Sequence, residues 1–262
     1  MLSFFKKNHI RLSKKQYLKR KLSAYPANIL LVGQPGSGTQ MWLKYNLLHS
    51  QDNAIIILDS HQEYDDIFQK KEKKKYHIHK IHIDKLSQYT KSEENRMIQW
   101  LQSLLTKKKQ IISVELSDSL DGKQVLFVQK CIEYLMNDTE WKHPYVQLYI
   151  VPEKANGILP ALTKRARVGN MGVVSCFLNS ELFDEDYYNQ VAMSSNAIIY
   201  MGCMNDKVND WIQRMVGGNL KLKDGESLKT FPYDEELIFK EGIVIRDKKF
   251  VFKQDVVDDV LN

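Results

Sequence analysis

Acidic residues are missing from the first 51 positions of this 262-residue chain; the first is Asp52. Lys6, Lys7, Arg11, Lys14, Lys15, Lys19, Arg20 and Lys21 therefore meet no carboxylate within their own segment. Cysteine is scarce. Cys131, Cys176 and Cys203 lie far apart in apolar contexts with no CxxC pair, which excludes a disulfide scaffold and a cysteine-built zinc site and predicts reduced, buried thiols. No apolar run approaches the roughly 18 residues of a membrane span, and the run after Met1 is too short for a signal peptide, so a cytoplasmic location is expected.

What is present is enough for a folded core: 43% hydrophobic and 27% charged residues. Apolar runs at 29–32, 54–58, 111–116, 146–151, 173–178 and 197–201 read as buried strands, and 76–83 as an alternating one. Segments 41–49, 95–105, 125–136, 159–168 and 207–216 read as helices. Strands alternating with helices predict an α/β fold with a mostly parallel sheet covered on both faces. Residues 1–25 read as a basic arm, helical in part and suited to a surface, with Lys14, Lys15, Lys19, Arg20 and Lys21 as candidates for nucleic-acid backbone or anionic lipid. Residues 236–252 read as a hairpin turning at 246–249. Two further basic runs, at 70–75 and 107–109, read singly as solvated faces.

The segment Gly33-Gln34-Pro35-Gly36-Ser37-Gly38-Thr39-Gln40 follows the first apolar strand and opens a helix. This is the layout of a phosphate-binding loop, G-x-x-x-x-G-K-[ST], in which backbone N–H groups and a helix N-terminus cradle phosphates. Thr39 stands in the place of the lysine that reaches the outer phosphates, and Gln40 in the place of the hydroxyl that binds Mg²⁺. Lys44 is no substitute: five residues past Thr39, it lies about 140° round the helix. Weak binding of ATP and Mg²⁺ by backbone groups is the most this loop promises, against the alternative of a purely structural turn. The strand at 146–151 ends in Pro152-Glu153, where a nucleotide hydrolase of this layout carries Asp-Glu; only Glu153 remains as a candidate to orient water. Asp59 and Glu63, at and just past the end of a strand, could face a ligand crevice or cap a helix. His77 and His79 share a strand face without further ligands, so no metal site is expected.

Taken in order, these segments resemble one family. The run 28–33, the glycine loop, Tyr45-Asn46-Leu47-Leu48 and the strand ending in Asp59 with Glu63 beyond it are similar to the type IV coupling proteins (TraG/TraD-like) of conjugation. Residues 150–156 look like that family's Walker B stretch, 173–182 like its strand and glutamine motif, and 196–217 like its closing strand and helix. The likeness covers most of 28–252. The departures fall on one reaction: Thr39 and Gln40 in Walker A, and Pro152 in place of the Walker B aspartate.

The resemblance implies a RecA-like P-loop NTPase domain over 26–252, with a basic arm at 1–25, a tail at 253–262 and a short helical replacement of the family's all-α insertion at 84–109. It implies a catalytically inactive scaffold or regulator in a type IV secretion or DNA-transfer apparatus. Its partners would be a conjugation ATPase or relaxosome proteins, DNA, or the inner face of the membrane, with oligomers possible. The alternatives are an active ATPase with atypical ligands and a DNA-binding accessory protein working through its basic arm.

Overall fold

A computed structural model of the chain describes residues 9–19, 28–50, 54–59, 63–82, 90–105, 107–115, 146–150, 163, 164, 166, 171–177, 183–217 and 227–250. Two compact units divide the chain, one of residues 1–20, 27–50 and 175–262 and the other of 21–26 and 51–174.

In the first unit, β3 (Ile29–Val32) leads through the glycine loop into α1 (Thr39–His49). β3 pairs in parallel with β9 (Ala197–Tyr200), Leu30 opposite Ile198. β10 (Glu235–Lys240) runs antiparallel to β9 and turns into β11 (Ile243–Lys248). All four residues of β3 and of β9 are buried, as expected of strands covered on both faces. α4 (Glu185–Met193) and α5 (Asp206–Val216) flank β9 in sequence, each capped by a side chain: Asp184 accepts from the Tyr187 amide and Asn205 from the Val208 amide.

In the second unit, β4 (Ala54–Asp59) lies between β6 (Gln110–Glu115) and β7 (Val146–Ile150), parallel to both, and β5 (His77–His82) runs parallel along β6. Residues 54–58 and all of β6 are buried, whereas β5 alternates between exposed and half-buried. Its histidines and Lys80 give β5 the polar character of an edge. α2 (Asp65–Lys73) and α3 (Lys91–Leu105) precede β5 and β6. β8 (Met171–Phe177) contains the point where the two units divide. The chain therefore has an α/β fold built on mainly parallel strands, as expected.

Two expectations are corrected. Residues 9–19 form no helix: β1 (His9–Arg11) and β2 (Tyr17–Lys19) make an antiparallel hairpin. The hairpin is pinned, because Trp42 Nε1 donates to the Leu12 carbonyl at 3.0 Å, and Asn46 both accepts from the Arg11 amide and donates to its carbonyl at 3.1 Å. Arg11 lies over the Tyr45 and Phe250 rings. Of the arm's apolar residues, Ile10, Leu12 and Leu18 are buried. The C-terminal hairpin turns at Glu241-Gly242, not at 246–249. Both turn residues have positive φ, 53° and 78°, the geometry that matches strand twist in a two-residue turn. The Glu-Gly pair was the signal. The expected helix at 125–136 and most of that at 159–168 lie outside the described residues. α2 and α4 were not anticipated.

Replacing Trp42 by Phe keeps an aromatic ring, though a smaller one, and deletes the hydrogen bond to Leu12. We expect a loss of about 1–2 kcal/mol in urea unfolding and faster proteolysis within residues 9–19; unchanged stability would mean the hairpin is not pinned there.

Candidate functional site

The glycine loop closes on itself. The Ser37 amide donates to the Gln34 carbonyl at 3.0 Å across Pro35-Gly36, and Gly36 has φ 81°. Proline followed by a positive-φ glycine is the sequence of a type II turn. One loop N–H is thereby committed to the protein. At Gly33 the constraint is close approach. A Cβ there would stand 2.4 Å from Ser37 Oγ and 2.7 Å from Thr39 Cγ2, so no larger residue fits without displacing the loop. Thr39, in the lysine's place, is buried with its methyl group turned inward over Gly33. The Ser37 hydroxyl is also buried and has no hydrogen-bond partner.

Three anchors hold the loop. Gln34 accepts from the Met204 amide through its side chain at 2.9 Å, and its own amide donates to Gly202 at 3.2 Å. Tyr233 Oη donates to the Gly36 carbonyl. Lys249, at the end of β11, donates from Nζ to the Ser37 carbonyl at 2.9 Å and the Met201 carbonyl at 2.6 Å. The segment that carries Met201 and Cys203 is itself fixed by Tyr200, whose hydroxyl donates to Asn209 Oδ1 at 2.7 Å and accepts from the Cys203 amide at 3.1 Å.

The electrostatics are unusual. Lys249 is 4% exposed, and burial lowers its ammonium to about 8, with Glu236 and Asp234 working in the opposite direction. Glu236 is fully buried beside it on β10, and neither carboxylate oxygen has a hydrogen-bond partner. Burial raises its carboxyl well above the usual range, and Lys249 opposes that rise. A lysine thus does reach this loop, but from 210 positions away from Thr39 and onto carbonyl oxygens. None of Lys249, Tyr233 and Glu236 was anticipated. The trace in the sequence was a lysine, Lys249, set directly before the apolar Phe250 and Val251 at the end of the hairpin.

Gln34, Ser37, Gly38 and Thr39 lie in and just after the turn between β3 and α1, and Gly38 stands at the N-cap of α1 with φ 98° and no side-chain cap. No acidic residue follows in the first turn of α1, so its positive end is not neutralised locally. Asp59 ends β4 and Glu63 precedes α2, both in the second unit; α2 takes Tyr64, not Asp59, as its N-cap. Glu153, Arg20 and Lys21 lie outside the described residues. Lys14 and Lys15 are exposed at the tip of the β1–β2 hairpin, and the Lys15 amide donates to Asp247 at 2.9 Å. Lys19 ends β2. Cys176 and Cys203 are buried, as expected, and Cys131 lies outside the described residues. Among the described residues there is no group of three potential metal ligands and no helix long and apolar enough to cross a membrane. His79 instead bonds Gln110 at 2.9 Å and His82 pairs with Glu115 at 2.7 Å.

No family model matches this chain and no curated protein matches it. Among solved structures it is similar to the cytoplasmic domain of the Thermomonospora curvata type VII secretion ATPase EccC, at 9% identity and a TM-score of 0.46, over 93% of this chain and 26% of that one. It is similar to a prototypical ATPase from the type III secretion system of pathogenic bacteria, at 10% identity and a TM-score of 0.36, over 71% of this chain and 53% of that one. It is also similar to the type III secretion ATPase EscN of enteropathogenic E. coli, at 12% identity and a TM-score of 0.35, over 67% of this chain and 42% of that one.

Two outcomes test this geometry. Lys249→Ala leaves two buried carbonyls without their charged donor, and we expect a loss of about 2–4 kcal/mol in urea unfolding; an unchanged midpoint would remove Lys249 as an anchor. Glu236 has a folded pKa above its unfolded value, so its contribution is full below about 4.5 and is lost as pH rises through the folded value. Between pH 4.5 and about 8, where Lys249 keeps its proton, the wild type should lose thermal stability relative to Glu236→Gln as pH rises. Parallel pH profiles would contradict this.

Proposed function

We propose that this chain is a RecA-like, non-hydrolysing relative of the conjugative coupling ATPases, acting as a scaffold or regulator in a secretion or DNA-transfer apparatus. The observation that carries the reading is the closed loop. Thr39 and Gln40 replace the phosphate lysine and the magnesium hydroxyl, and Tyr233 and Lys249 hold loop carbonyls with protein groups. A loop ordered by nucleotide changes with each turnover; one ordered by its own chain keeps a single form and presents a constant surface to its neighbours. The order of motifs through 28–252 supports the family. The partners under this reading are an active conjugation ATPase or relaxosome proteins, DNA, or the inner face of the membrane, in an oligomer of unspecified order.

A second reading draws on the same lysine. If phosphates drew Lys249 Nζ off Ser37 and Met201, the lost Walker lysine would be replaced in cis and the chain would be an atypical ATPase. Calorimetry with ATP, with and without Mg²⁺, separates the two. The scaffold reading expects no binding that strengthens with Mg²⁺ at millimolar nucleotide, and no turnover. Mg²⁺-dependent binding lost in Lys249→Met, with folding retained, would overturn it in favour of the second.

A further inference from the structure

The basic runs at 70–75 and 107–109, unremarkable apart, converge in the second unit. Lys109 Nζ donates to the Lys74 carbonyl at 3.0 Å and the His77 amide to the Lys109 carbonyl at 2.9 Å. The ammonium groups of Lys71 and Lys109 lie 4.3 and 5.8 Å from the centre of the Tyr76 ring. The Tyr76 amide reaches back to the Lys71 carbonyl and the Lys75 amide to the Glu72 carbonyl, a helix-ending motif that places Lys75 where glycine is usual. Lys75 and Lys109 both hold positive φ, 65° and 58°, uncommon for a residue with a side chain. The backbone is thus fixed, and Lys73, Lys75, Lys107 and Lys108 stand exposed on it with no ion pair among the described residues. Glu72 is the one carboxylate in 67–83, and 95–114 has none. The C-terminal helix dipole accounts for Lys70, Lys71 and Lys73, but not for Lys75 or 107–109.

An aromatic ring adjoins the cluster. Gln110 donates to the Lys108 carbonyl and bonds His79 at 2.9 Å each, and His79 meets Trp100 edge-on at 5.9 Å. Trp100 is 39% exposed, with exposed Arg96 one helical turn before it on α3. It is the one large exposed hydrophobic side chain described in this unit, and α3 around it shows solvent Lys91, Ser92, Glu93 and Gln99. A bilayer surface requires an apolar face to insert; among the described residues of this unit Trp100 is the one large hydrophobic side chain exposed. A single-stranded nucleic acid requires cations along its backbone and a ring on which a base can stack.

We propose that this surface binds single-stranded nucleic acid, with Lys75, Lys107 and Lys108 on phosphates and Trp100 stacked on a base. The site is separate from the glycine loop and stands whatever the loop does. The test is fluorescence anisotropy of the full chain with a labelled oligothymidylate, a duplex of equal length, and phosphatidylserine–phosphatidylcholine vesicles, across a salt series. The proposal expects oligothymidylate to bind best. In Lys75→Asn/Lys107→Gln/Lys108→Gln, affinity should fall at least about tenfold and the log–log salt slope should flatten by about 2, at roughly 0.7 per lost phosphate contact. Trp100→Ala should weaken single-strand binding and leave duplex binding unchanged. Melting curves establish that each variant folds, and Lys107→Glu/Lys108→Glu serves where the triple variant does not. Binding to vesicles without oligonucleotide, loss confined to Lys14→Gln/Lys15→Gln, or indifference to Trp100→Ala would each overturn the proposal.

Discussion

The hydrogen bonds from Lys249 Nζ to the Ser37 and Met201 carbonyls are the constraint on which the glycine loop depends. They join three segments distant in sequence: the loop after β3, the segment after β9 and the end of β11. A buried ammonium must find oxygen partners or lose its proton, and turn and strand-end carbonyls are the ones this fold leaves over. The cation that a phosphate-binding loop directs at its ligand is directed here at the loop itself.

Several features follow from that placement. Gly33 must be glycine because Ser37 and Thr39 turn inward beneath the closed loop. Glu236 can be buried without hydrogen-bond partners because Lys249 lies near enough to limit its electrostatic cost, and because the neutral acid is favoured there. Tyr233 closes the other side of the turn from the same hairpin. The loop is thus held by protein groups at Gln34, Gly36 and Ser37.

The sequence disclosed what is local and periodic. The buried strands at 29–32, 54–58 and 197–200 are continuous apolar runs, and the helices at 39–49 and 206–216 follow a glycine loop and an Asn cap. The glycine loop between a strand and a helix was legible as residue types at fixed spacing. The anchors were not, because Lys249 and Thr39 are brought together by strand order and no local pattern encodes that. The N-terminal residues misled for a related reason. Leucines and aromatics among lysines suit a membrane-surface helix, but here the Leu12 carbonyl and Arg11 find tertiary partners on α1 and beside Phe250, and a hairpin results. The lysines of 70–75 and 107–109 could be read singly, but only the β5–β6 pairing sets them side by side.

Amide hydrogen exchange across residues 34–39, in the wild type with and without millimolar MgATP and in Lys249→Ala, tests the central claim most directly. The account predicts that the Ser37 amide is protected in the wild type, that nucleotide adds nothing, and that loss of Lys249 removes the protection. Slow exchange that appears only with MgATP, indifferent to Lys249, would mean that the loop is ordered by its ligand after all.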